Sequence, residues 1–94
     1  MKTVWTAQAV RDLMEIRAYV EKEDAKAAAD VARRIILSAG RLARHPESGR
    51  RGRLPGTREL VIARTPYLVP YRVHGGRIGV LRVLHGRGLY PPGD

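Results

Sequence analysis

Apolar positions along this chain change period twice. Between Thr6 and Val20, Ala9, Leu13, Ile16 and Val20 recur at the spacing of one helical face, with Gln8, Arg11, Asp12, Glu15 and Glu21 around the outside. This predicts an amphipathic helix over about 6–22, with Thr6 as its cap and residues 2–5 as a short strand before it. A second helix starts after a capping Asp24. Its apolar stripe is Ala28, Val31, Ala32, Ile35, Ala39 and Leu42, its polar side is Lys26, Arg33, Arg34, Arg41 and Arg44, and Pro46 stops it. Two helices joined by so few residues must lie antiparallel, as a helical hairpin.

From Thr57 the period becomes that of strands. Thr57–Ala63, Tyr67–Val73 and Ile78–Leu84 are rich in β-branched, aromatic and aliphatic residues, and are separated by Arg64-Thr65-Pro66 and by His74-Gly75-Gly76-Arg77. A two-residue turn at Gly75-Gly76 sets His74 opposite Arg77, Val73 opposite Ile78, Tyr71 opposite Val80 and Leu68 opposite Val83. One face then carries Val69, Tyr71, Val73, Ile78, Val80 and Arg82. The other carries Leu68, Pro70, Arg72, Leu81, Val83 and His85. A sheet in a small domain normally turns one face to the core and one to solvent, so an apolar second face, with Val61 on it, points to a protein partner that covers it. Pro70 in mid-strand has no N–H to give, which requires that its nitrogen face away from a neighbour or that a bulge intervene.

The order strand, helix, helix, meander predicts an α+β fold, β-α-α-β-β-β, with the N-terminal strand and helical hairpin packed on an antiparallel sheet. The first strand must then join at an edge or beside a strand that is not its chain neighbour. A length of 94 residues and 10.5 kDa gives one domain, 1–94, with one core. With no cysteine there is neither a disulfide framework nor a thiolate zinc site. His45, His74 and His85 have no ligand spacing and no carboxylate cluster beside them, so no metal or other cofactor is expected. The first residues lack the apolar core of a signal peptide and no run approaches a membrane span, which reads as a soluble cytoplasmic protein without a membrane partner.

The formal charge of +9 predicts attraction to a polyanion or an acidic protein. Three arginines, Arg50, Arg51 and Arg53, fall in the turn-rich loop between Pro46 and Gly56, and with Arg87 they are candidates for contact with the target or with a polyanion. The alternative for the loop is a flexible connector. Arg58, Arg72 and Arg82 in or beside strands, with His85, Arg87 and Tyr90 after the last strand, could serve cleavage of RNA by a 2′-hydroxyl, arginines holding phosphate charge and His or Tyr moving protons. An arginine facing the helices, as Arg82 should, more often pairs with a helix carboxylate such as Asp12 or Glu15.

The order of Trp5-Thr6, Ala9, Asp12-Leu13, Ile16 and Tyr19, then Leu42, Pro46 and Gly49, then Gly56-Thr57-Arg58-Glu59-Leu60, Pro66-Tyr67, Tyr71-Arg72-Val73 and Val80 to Arg87 resembles the RelE/ParE toxin superfamily of type II toxin–antitoxin modules over nearly the whole chain. The resemblance implies a cognate antitoxin, a small acidic DNA-binding protein of ParD-like or RelB-like type, and growth arrest or plasmid stabilization as the outcome. In the RelE-like branch, ribosome-dependent endoribonucleases acting on mRNA, the catalytic candidates would be Arg58, His85, Arg87 and Tyr90, of which only Arg87 and Tyr90 fall on that branch's pattern. That branch carries several basic groups on the sheet, whereas Glu59, Val61 and Leu68 stand at their places here. The ParE-like branch acts on DNA gyrase and is similar in the Val83-Leu84-His85 ending and the apolar sheet. The favoured expectation is therefore a gyrase-inhibiting toxin that is not an enzyme, with Leu68, Arg72, Leu81, Val83 and His85 receiving the antitoxin. A ribosome-dependent nuclease is the alternative, and a non-toxic basic nucleic-acid-binding module the second.

Overall fold

Both predicted helix starts are built from side chains that replace missing backbone partners. In the computed structural model, which describes residues 1–86 and 90, Thr6 Oγ1 accepts from the Ala9 N–H at 3.0 Å and opens helix α1, Ala7–Glu21. Asp24 Oδ1 accepts from the N–H groups of Lys26 and Ala27 and opens α2, Ala25–Arg41. Before α1 runs strand β1, Lys2–Trp5. After α2 come β2, Arg50–Arg51; β3, Arg58–Val61; β4, Tyr67–His74; β5, Arg77–Val80; and β6, Leu84–His85. The strands form one mixed sheet in the order β1-β5-β4-β3-β2, with β6 also pairing β4.

The first strand takes an edge, parallel to β5, with Val4 opposite Gly79 and Trp5 opposite Val80. Thr6 then continues the connection, its N–H donating to the Val80 carbonyl. The β4–β5 hairpin has the expected register, His74 opposite Arg77 and Tyr71 opposite Val80, and both turn glycines take the positive φ values that a tight hairpin requires, 58° and 71°. The segment 50–51, expected to be wholly loop, instead adds a short antiparallel strand beside β3. Its exposed cations suit an outer edge, where charge discourages pairing with another chain.

Past Tyr71 the register does not run on. Leu68 pairs with Leu84 rather than Val83, and Tyr67 with His85, so one extra residue has been inserted between β5 and β6. The cause is Pro70. The Leu81 N–H still donates to the Pro70 carbonyl at 2.9 Å, but Pro70 has no N–H to return. The Leu81 carbonyl instead accepts from the Thr6 hydroxyl at 2.8 Å, and the Val83 N–H donates to Asp12 Oδ2 at 2.9 Å. A one-residue shift turns side chains to the opposite face. Val83, placed by uninterrupted alternation with Leu68, is therefore buried with Ile35, Val69, Tyr71, Ile78 and Val80 between sheet and helices. His85 likewise moves to the face of Tyr67, where the two rings meet edge to face at 5.8 Å.

Helix α1 buries Ala9 and also Asp12, which its pattern placed on the outside. The α2 stripe is as expected, with Ala28, Ala32, Ile35 and Ala39 buried and Leu42 closing the end. Between α2 and β2 the chain is held by Tyr71, whose hydroxyl donates to the Pro46 carbonyl at 2.7 Å and accepts the Gly49 N–H at 2.8 Å. Gly49 has to be small, since a Cβ there would stand 2.6 Å from Tyr71 Cε1.

Thr6 therefore serves α1 and the bulge together. Replacing Thr6 by Ala removes a cap and strands a carbonyl, and should cost about 1–3 kcal/mol in chemical denaturation, while Thr6→Ser, which keeps the hydroxyl, should retain most of the stability.

Candidate functional site

Burial of a carboxylate makes the first constraint on what this surface can do. Glu59 sits in β3 on the sheet face away from the helices, opposite Pro70, and is 1% exposed. Its Oε2 accepts from the Arg53 N–H at 3.0 Å, and its Oε1 takes the Arg50 and Arg53 guanidinium groups at 3.4 and 3.5 Å. A buried charge must be paired, and the loop arginines supply the pairing. Arg53 also donates from Nη1 to the Tyr90 carbonyl at 2.9 Å, so one side chain ties loop, sheet and C-terminal segment together. Burial, with the Glu59 charge adding to it, pushes the Tyr90 phenol above its ordinary value, against the nearby positive charges of Arg82, Arg72 and Arg53.

The second constraint is at Arg82. Its Nε and Nη2 grip Asp12 at 2.8 and 3.1 Å, the helix-carboxylate pairing that its sheet face suggested. Burial alone would raise the Asp12 carboxyl. The hydrogen bonds from Arg82, Gln8 and the Val83 N–H, with the Arg82 charge, outweigh it and hold the group below the ordinary carboxylate range. Arg58 is committed in part, donating from Nη1 to the Gly49 and Glu47 carbonyls at 2.8 and 3.4 Å.

The expected antitoxin-facing residues divide. Leu68 faces away from the helices as its alternation requires, yet it is 4% exposed, and Gly86, directly after β6, lies close to it: a Cβ there would stand 3.8 Å from Leu68 Cδ2. Val83 is in the core because of the one-residue register shift. Neither offers an accessible surface in this chain. Arg72 and His85 are exposed and Leu81 is half-buried. Val61, on the same outer face as Leu68, is 55% exposed. Of the polyanion candidates, Arg50 and Arg53 are held by Glu59, Arg51 is exposed, and Arg87 lies outside the described residues. Arg58 is fixed at the Pro46–Gly49 turn, His85 meets the Tyr67 ring, and the Tyr90 carbonyl takes Arg53.

An open groove of about 610 Å³ lies along the turn from Arg51 to Arg58, with Val73 at its base. The sequence shows the loop's charge but not this concavity. Gly56 at φ 75° reverses the chain there, and a Cβ on it would stand 3.2 Å from Arg72 Nη1, so Arg72 also reaches the groove's rim. Among the described residues no group of His, Cys, Asp or Glu is placed to hold a metal ion, and no helix is long and apolar enough to cross a membrane.

Because Asp12 titrates below the unfolded value, its contribution is fully present above the ordinary carboxylate pKa near 3.8 and is lost as pH falls through the lower folded value. Asp12→Asn should lower stability at neutral pH by about 2–4 kcal/mol, since Arg82 is partly solvated, and should flatten the acid limb of a urea-denaturation series measured from about pH 6 to about pH 2.

Comparison with known proteins agrees with this architecture. Residues 3–90 match the model of the ParE toxin of the type II toxin–antitoxin system parDE. The chain is 47% identical over 87 residues to the toxin-family protein Y4kP of Sinorhizobium fredii, covering 93% of this chain and 90% of that protein. It is 36% identical over 88 residues to toxin RelE2 of Caulobacter vibrioides, covering 94% and 98%. A solved structure of the chromosomal ParDE toxin–antitoxin system from P. aeruginosa superposes with a TM-score of 0.81 at 31% identity, over 90% of this chain and 95% of that one. With the strand, helical hairpin and mixed sheet in place, the chain belongs to the ParE toxin family of type II toxin–antitoxin systems.

Proposed function

We propose that this chain is a ParE-like toxin that inhibits DNA gyrase and is neutralised by a cognate antitoxin. The observation that carries the reading is the commitment of several of its sheet-side cations, while Arg72 in β4 is exposed and makes no ion pair among the described residues. Arg82 is held by Asp12, Arg50 and Arg53 by Glu59, and Arg58 in part by backbone carbonyls. A nuclease of the 2′-hydroxyl type needs guanidinium groups free to meet the phosphate as charge builds there. Glu59, buried on the outer face, holds two loop guanidinium groups away from any phosphate. Tyr90, with its phenol raised, gives up its own proton less readily and so is a poorer route to a phenolate base for the hydroxyl proton.

Family membership implies an antitoxin partner. Its apolar groups would meet the exposed Val61 and the half-buried Leu81, with carboxylates near Arg72, so the contact is shifted from the surface that simple alternation predicted. The second reading, a ribosome-dependent nuclease, is favoured by one observation, the 36% identity to a toxin named RelE2.

Purified protein added to gyrase and relaxed plasmid should abolish supercoiling and accumulate cleaved plasmid, while message on translating ribosomes stays intact. Cut messages that disappear with Tyr90→Phe, together with unimpaired gyrase, would transfer the assignment to the nuclease.

A further inference from the structure

The positive charge of this protein is not spread evenly. All its acidic residues except Glu47, Glu59 and Asp94 fall between Asp12 and Asp30, in the first helix and the start of the second, whereas the sheet and its loops are almost wholly cationic. The groove along Arg51–Arg58 lies in that cationic half, and among the described residues no carboxylate lines it. Arg51 and Arg53 are exposed in its lining, Arg53 being tied to Glu59, and half-buried Arg58 lines it as well. Arg72 stands outside the lining, on the sheet face opposite Arg58, but its Nη1 comes within 3.2 Å of where a Cβ on Gly56 would stand, at the groove's edge. Neither Arg51 nor Arg72 makes an ion pair or side-chain hydrogen bond among the described residues. Within the turn the Gly52 N–H goes to the Thr57 carbonyl and the Thr57 N–H to the Leu54 carbonyl. The exposed cations of the β2 edge disfavour an added strand, so recognition here falls to side-chain forks.

We propose that this groove is a phosphate-binding site for the sugar–phosphate backbone of a nucleic acid. Planar guanidinium groups match phosphate oxygens in pairs, and a wall free of carboxylates leaves the attraction unopposed. Leu54, Pro55 and Val73 give the sugar an apolar bed. The loop that carries the site is held in shape by Arg53 on the buried Glu59, so the arginines of this segment have separate duties: Arg50 and Arg53 build, and Arg51 binds. The site does not depend on whether gyrase or the ribosome is the toxin's target, because it predicts direct affinity for nucleic acid in the absence of either.

The test measures fluorescence anisotropy of a labelled duplex DNA, and of a single-stranded RNA of equal length, over a range of salt. The unmodified protein is compared with the double variant Arg51→Ala/Arg72→Ala and with a control of equal charge loss on the helices, Arg17→Ala/Arg33→Ala. The groove variant should bind about tenfold or more weakly, with the slope of log K against log salt reduced by about 2, while the control stays within about twofold. Inorganic phosphate at constant ionic strength should displace the oligonucleotide from the unmodified protein, and the stronger of the two nucleic-acid arms names the source of the phosphate. Equal losses in both variants would reduce the affinity to bulk charge and overturn the site. Unchanged nucleic-acid binding, with weakened binding of an acidic peptide instead, would overturn it in favour of a protein partner. Circular dichroism and the denaturation midpoint, unaltered in the groove variant, separate lost binding from lost fold.

Discussion

A single missing hydrogen on Pro70 governs the layout of the sheet. Without that N–H, β4 cannot complete its ladder to the last strand, and the chain inserts one residue between Val80 and Leu84. The gap is closed by groups from the start of α1 and its cap, the Thr6 hydroxyl on the Leu81 carbonyl and the Asp12 carboxylate on the Val83 N–H. The helix is thereby docked to the sheet by polar contacts as well as by Ala9 and its apolar neighbours. Asp12 can be buried because Arg82, in the same bulged segment, comes down to meet it.

The other buried carboxylate, Glu59, organises the opposite face. Paired with Arg50 and Arg53, it converts part of a cationic loop into structure and brings Tyr90 alongside. The 18 lysines and arginines thus overstate how many cations are free to meet a partner. Some of the arginines neutralise internal acids or hold carbonyls, and those at the rim of the groove remain for intermolecular contact. This division separates a scaffold shared within the family from a surface on which individual members can differ.

That separation bears on the choice of target. Members of a toxin fold can keep the helical hairpin and meander while changing what the sheet presents, because the core is closed by buried residues such as Ile35, Tyr71 and Val83 that lie out of a partner's reach. Here the outer face presents Val61, Leu81 and the exposed Arg72 beside a neutralised Glu59, an apolar patch with an open cation. The groove along the Arg51–Arg58 turn meets that face at Gly56, where Arg72 reaches its edge, and is the place proposed for nucleic acid.

Much of this was legible from residue order alone: both helices with their caps at Thr6 and Asp24, the Gly75-Gly76 hairpin and its register, the pairing of Arg82 with a helix acid, and the family. Those features depend on local periodicity, turn chemistry and neighbouring strands, which a sequence carries directly. Proline in mid-strand also announced that a bulge was one of two outcomes. Which one, and hence the burial of Val83 and the turning of His85, depended on Thr6 and Asp12 supplying a donor and an acceptor from about seventy residues away. The roles of Arg50, Arg51 and Arg53 were likewise indistinguishable in a run of like charges. Only the tertiary fold, by burying Glu59 beneath two of them and leaving the third at a groove, decided which were structural, because the cost of an unpaired buried charge exists only once the chain has closed over it.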